Sequence, residues 1–226
     1  EYPTHPVAYT AGQAVPGVTL LGGVSLDVEV GGLNPTAVES TAKVGGRVVW
    51  MPTFGADFYR TSRGQGSGLR LTDDSGALLA EVEQILDVVQ HRDMLVASGH
   101  ASPSESLALF SAARARGIGR MVATRPTDIA STEELSQMVS LGAHIELTFL
   151  SCMPSVKETT PEGLVFMVKA LGVENCVVTT DFGQWMNPSP AEGMRMAIAE
   201  LLHAGLTPDE VSTLVKGNPS QLVGRD

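Results

Sequence analysis

The chain is punctuated by short apolar runs, rich in Val, Ile and Leu, that fall at 18–26, 47–53, 94–100, 120–126, 143–150 and 176–180. Runs of this length and composition are what strands buried on both faces of a parallel sheet look like. Between them lie stretches with helical spacing, several opened by a start signal. Asn34 stands as N-cap before Pro35, Ser102-Pro103-Ser104-Glu105 supplies a cap and an acidic first turn, and Ser131-Thr132-Glu133-Glu134 does the same. The spacing predicts helices over 35–43, 78–91, 102–116, 131–140, 161–170, 190–203 and 208–216. Met194, Ile198 and Leu201 repeat with helical spacing and read as packing positions. Six strand-then-helix units in alternation mean a parallel sheet, because parallel neighbours need crossover helices.

Two stretches depart from this rhythm. Residues 1–6, with Pro3, His5 and Pro6, read as a loop rather than the start of an element. Residues 54–74 read as a long irregular connection carrying Tyr59, Arg60, Arg63 and the glycines Gly55, Gly64, Gly66 and Gly68, with a small hairpin at 69–76. A connection this long inside a compact domain is expected to be a binding loop or lid, here spanning 54–76.

Whether the sheet is open or closed turns on the strand ends. No G-x-G-x-x-G or P-loop stands at any strand-to-helix junction, so a dinucleotide-binding sheet is not indicated. Polar residues instead end several different strands: His100, Arg125, Glu146 and Asp181. That is how the active sites of (β/α) barrels are assembled. Asp181 is the leading candidate, because the run Cys176-Val177-Val178-Thr179-Thr180 delivers it to a carboxyl end and Gly183 follows. The expected architecture is therefore a (β/α)8 barrel in a single domain over 1–226, with about six units visible and the first one or two preceding this sequence.

Composition narrows the partners. With 226 residues, 43% hydrophobic and 18% charged, the chain can bury a sizeable core. Its formal net charge of −10 argues against nucleic acid and anionic membrane surfaces, which demand clustered Lys and Arg. Two cysteines, Cys152 and Cys176, are too few for a disulfide scaffold. No apolar run reaches the roughly 18–20 residues of a membrane span and no basic-then-apolar leader is visible, so the expected setting is reducing and cytoplasmic. A small-molecule substrate is the expected partner, and homo-oligomer formation is left open.

In the order of these strand-end residues the chain resembles the metal-dependent amidohydrolase superfamily. The ending Lys216-Gly217-Asn218-Pro219-Ser220-Gln221-Leu222-Val223-Gly224 is also similar to the Asn-Pro-Ala-x-Leu-Leu-Gly tail common in that superfamily. The resemblance puts His100 at the fifth barrel strand, Arg125 at the sixth and Asp181 at the eighth. It implies a hydrolase in which Asp181 is the general base toward water. A divalent metal, zinc first, would be held partly by His100 and Asp181, or Arg125 itself would polarise the substrate carbonyl. Arg125 stands where the family has a metal-binding histidine, and an arginine has no lone pair for a metal. Some family members, lactonases that hold carboxylated substrates with arginines, work without metal.

On this reading His100, Arg125 and Asp181 are catalytic. Trp50, Thr53, Tyr59, Arg60, Arg63, Glu146 and Gln184 contact a small polar or carboxylated substrate whose amide, lactone or ester-like bond is cleaved. His5 is a further pocket candidate, His144 reads as structural, and His91 and His203 as helix-surface residues. Two other functions fit the same residues. One is a barrel without catalysis that binds a small ligand or partner; the other is a metal-free lactonase, decarboxylase or hydratase at the same site.

Overall fold

The structure is a computed structural model that describes residues 2–15 and 17–224. Six strands form a sheet in chain order: β1 (Gly23–Ser25), β2 (Val48–Trp50), β3 (Leu95–Ala97), β4 (Met121–Ala123), β5 (His144–Thr148) and β6 (Cys176–Thr179). The helices are α1 (His5–Ala14), α2 (Pro35–Lys43), α3 (Asp57–Ser62), α4 (Ala80–Arg92), α5 (Pro103–Ala115), α6 (Thr132–Ser140), α7 (Pro161–Leu171), α8 (Pro190–His203), α9 (Pro208–Ser212) and α10 (Asn218–Leu222). No helix among the described residues is long and apolar enough to cross a membrane. Contacts group the chain into two compact units, residues 1–124 with 140–143, and residues 125–139 with 144–226.

In the first unit β1, β2, β3 and β4 pair in parallel, and the register aligns Val24, Val49, Val96 and Met121 in one row. All four are buried, as the unbroken apolar runs require. The strands are shorter than those runs. Residues 18–22 were expected to belong to β1, yet Val18, Leu20 and Leu21 are exposed and the ladder begins only at Gly23. The expected caps form. The Asn34 side chain accepts from Thr36 N and Ala37 N, and Ser102 and Glu105 make a reciprocal capping box at α5. Glu105 also accepts from Leu71 N at 2.7 Å, which fastens the end of the long connection to that helix start.

Both irregular stretches turn out to be structured. Residue 1 lies outside the described residues, but His5–Ala14 is a helix with Pro6 in its first turn, and none of its residues is buried. Without a buried face it has no apolar stripe for a sequence to display. The connection after β2 holds α3, a bridge between Ala56 and Leu69, and an antiparallel bridge between Thr72 and Leu78 that matches the expected hairpin. Its bonds are largely local. Arg60 donates from Nε to Ser67 O and from Nη2 to Gln65 O, and Gly68 N donates to Asp57 Oδ1.

The second unit is built on the parallel pair β5 and β6, with Ile145 opposite Cys176 and Thr148 opposite Thr179. Both cysteines are free thiols, and burial raises that of Cys176 to about 12. The helix expected over 208–216 is divided: α9 gives way to a wide π-helical turn at Thr213–Gly217 and then to α10. This places Asn218 in the interior, where its amide donates to Val173 O (2.8 Å) and Cys176 O (2.6 Å). The tail motif thus clamps the amino end of β6.

The most heavily bonded buried side chain of the first unit is Asp27, which follows β1 and is 1% exposed. Its Oδ1 accepts from Thr53 N (2.9 Å) and Gly55 N (2.7 Å), and its Oδ2 from Thr53 Oγ1 (2.6 Å) and Ser25 Oγ (2.9 Å). Asp27→Ala would orphan two backbone donors. It is expected to cost about 3–5 kcal/mol in urea unfolding, with a smaller loss for Asp27→Asn. A loss below about 1 kcal/mol would remove Asp27 as the fastening of β1 to β2.

Candidate functional site

At the carboxyl ends of the first unit's strands the sequence places polar residues in succession: Ser25 at the end of β1 and Asp27 after it, Thr53 after β2, Ser98 to His100 after β3 and Thr124 after β4. Gly99 has φ +61°, and a Cβ there would come within 2.2 Å of Met51 O, so only glycine allows β3 to turn this close to β2. His100 N then donates to Pro52 O at 2.9 Å. The His100 ring stacks on Tyr59 with centroids 4.9 Å apart, Phe54 meets both rings edge-on, and the Arg63 guanidinium lies 4.5 Å over Tyr59. His100, Tyr59 and Arg63 are therefore brought together.

Other candidates in this unit are committed elsewhere. Thr53 uses its hydroxyl on Asp27, and Arg60 spends its guanidinium on loop carbonyls at the edge of a cleft of about 520 Å3 lined by Glu29, Phe54 and Gly55. Trp50 leans back over β1: its Cζ3 is 2.7 Å from where a Cβ on Gly23 would sit. His5, expected as a pocket candidate, packs instead against Gly22 and Gly45, which precede β1 and β2, and so lies at the amino ends of the strands.

The second unit gathers the other candidates. Arg125, two residues beyond β4, and Asp181, two residues beyond β6, both have left-handed backbone, with φ +46° and +54°. Side-chain-bearing residues adopt this conformation only at a cost of about 1–2 kcal/mol, and such strain clusters at functional sites. Arg125 Nη1 donates to Asp181 Oδ2 at 3.0 Å and its Nη2 to Glu158 Oε2 at 2.8 Å. Glu146, on β5, accepts at Oε1 from Thr179 Oγ1 at 3.0 Å. Gln184 closes the turn after Asp181, donating to Asp181 O and accepting from Asn187 Nδ2. His144 sits at the amino end of β5, and burial lowers its pKa.

The electrostatics separate the carboxyls. Burial raises Glu146 to about 7, with the Asp181 charge adding to the rise and the Thr179 hydrogen bond and Arg125 opposing it. Burial also raises Asp181, against the pull of Arg125. The cluster thus sets Asp181, ion-paired with a guanidinium, beside Glu146, which titrates near neutrality, a pairing suited to acid–base chemistry. The resemblance implied a divalent metal held in part by His100 and Asp181. Among the described residues no three His, Cys, Asp or Glu side chains are grouped to hold a metal ion, and Asp181 Oδ2 already accepts from the Arg125 cation.

Asp27 and Glu158 were not singled out from the sequence. Asp27 carried the signal that pointed to Asp181, an acid directly after an apolar run. Glu158 lies in a Ser- and Pro-containing loop with no periodicity to mark it.

Comparison with solved structures defines the fold as that of amidohydrolase-type barrel hydrolases. A provisionally assigned dipeptidase from Pseudomonas aeruginosa matches at TM-score 0.69 and 12% identity, over 98% of this chain and 77% of that one. An amidohydrolase from the same organism matches at 0.61 and 14%, over 84% and 67%. A provisionally assigned 2-pyrone-4,6-dicarboxylic acid hydrolase from Pseudomonas putida matches at 0.59 and 16%, over 98% and 77%. The chain belongs to the family described as a family of unknown function, DUF6282, whose model matches residues 1–146. No curated protein matches it.

The raised pKa of Glu146 has a measurable consequence. Between the ordinary value of 4.5 and about 7 the folded chain keeps a proton that the unfolded chain releases. The stability this contributes is complete below pH 4.5 and lost as pH rises through 7. Thermal melts are therefore expected to show Glu146→Gln gaining on the parent between pH 5 and pH 8; an unchanged difference in Tm would place Glu146 in an ordinary solvated setting.

Proposed function

We propose that the chain is a hydrolase that opens a lactone or other ester-like bond, or an amide, in a small carboxylated substrate held at the Arg125 cluster. The observation that carries this reading is the ion pair between two strained strand-tip residues, Arg125 and Asp181. Strand tips are where barrel hydrolases keep their chemistry. The fold neighbours add support, since 2-pyrone-4,6-dicarboxylic acid, in the name of one of them, is a cyclic ester carrying two carboxylates.

In this mechanism Arg125 binds and orients the substrate through a charge-assisted hydrogen bond to its carboxylate. Asp181 takes a proton from water as the water oxygen bonds to the carbonyl carbon. The carbon–oxygen bond of the ester then breaks, and Glu146, protonated for part of the time near pH 7, gives its proton to the departing oxygen. Transfer of the proton from Asp181 back to Glu146 through solvent restores the site. The chain's net charge of −10 accords with a small-molecule partner rather than nucleic acid.

A panel of carboxylated lactones and their neutral counterparts, assayed by proton release, tests the reading. Asp181→Asn is expected to lower kcat at least about a hundredfold, the usual scale of a lost general base, with Tm within a few degrees of the parent. An unaltered rate on any substrate the parent turns over would exclude Asp181 as the base.

A further inference from the structure

We propose that Glu158 is a built-in occupant of the anion position on Arg125, and that the carboxylate of the substrate binds by exchanging with it. The inference rests on the carboxylate-binding role given to Arg125 above and concerns what stands there before substrate arrives. Among the described residues the Arg125 guanidinium meets carboxylates on both sides: Nη1 faces Asp181, which follows β6, and Nη2 faces Glu158, in the connection leading to α7. Only the first of these partners belongs to a strand end.

Three features make Glu158 the exchangeable partner. Solvent reaches the pair, the side chains of Arg125 and Glu158 being 20% and 32% exposed, and ion pairs open to water hold structure only weakly. The connection is also poised to move. Lys157, immediately before Glu158, is held at φ +54°, and the backbone N–H groups of Glu158 and Thr159 share a single acceptor, Ser151 O. Finally, exchange of one carboxylate for another leaves the charge beside Asp181 and Glu146 unchanged, so an anion that replaces Glu158 meets no added repulsion. An anion arriving as an additional acidic group beside Arg125 would meet it in full.

Self-occupancy reduces the apparent affinity for a ligand by the fraction of time the position is free. The probe is glutarate, a small dicarboxylate with no bond to hydrolyse, titrated by calorimetry into the whole chain. Glu158→Gln is expected to tighten glutarate binding at least about fivefold, and Arg125→Gln to abolish it. Unchanged or weaker binding to Glu158→Gln, or no binding to either the parent or this variant at millimolar concentration, would overturn the proposal.

A second measurement needs no variant. Release of Glu158 loosens the connection, so glutarate is expected to accelerate tryptic cleavage after the exposed Lys157. Protection or an unchanged rate would count against exchange. Neither arm depends on turnover: an active lactonase indifferent to Glu158 would sink this inference alone, whereas glutarate binding without turnover of any lactone would sink the hydrolase reading alone.

Discussion

A carboxylate taken out of water must have its oxygens met by donors, and in the first unit that demand falls on Asp27. Four donors from the ends of two neighbouring strands and the connection beyond converge on it. Three of those four groups lie beyond the backbone ladder, because the strands are only three residues long and Thr53 and Gly55 follow the end of β2. The side chain does at the strand tips what backbone pairing does further down. The long connection after β2 can then leave the sheet at a fixed angle and lay Phe54 and Tyr59 against His100.

The second unit meets a comparable need with the opposite charge at its centre. Arg125 gathers Asp181 and Glu158, and two of the three residues concerned sit in backbone conformations they would not choose unaided. Where the first unit buries its hub, this one leaves it within reach of solvent. A buried hub fixes geometry; an accessible one can trade partners. That contrast is the physical reason for assigning structure to Asp27 and chemistry to the Arg125 cluster.

Features that depend on a few adjacent residues were legible in the sequence. Asn34 and Ser102 announce helix starts because a cap acts within three residues, and the acid after the Cys176 run marks a strand tip because apolar burial and a carboxylate meet there. The alternation of runs and helices was enough for the barrel-type fold. Strand lengths were not legible, since an apolar run records burial and not pairing, as the exposed residues before Gly23 show. Nor were the distant partners of Asp27 and Arg125, which come from 26 to 56 residues away. The order within the long connection was hidden too, because Asp57 and Arg60 hold it with a few side-chain bonds that leave no period.

The clamp at Asn218 bears on how the chain acquires its structure in time. A ribosome releases residues in order, and the carbonyl of Cys176 emerges 42 residues before the amide that satisfies it. Until then the amino end of β6 lacks that donor and is held by its ladder with β5 alone. The two strands of this unit therefore complete their packing only as the last helix is delivered, while the four-stranded unit ahead of them already has its internal bonds available. Synthesis would find one unit settled and the other waiting on α10.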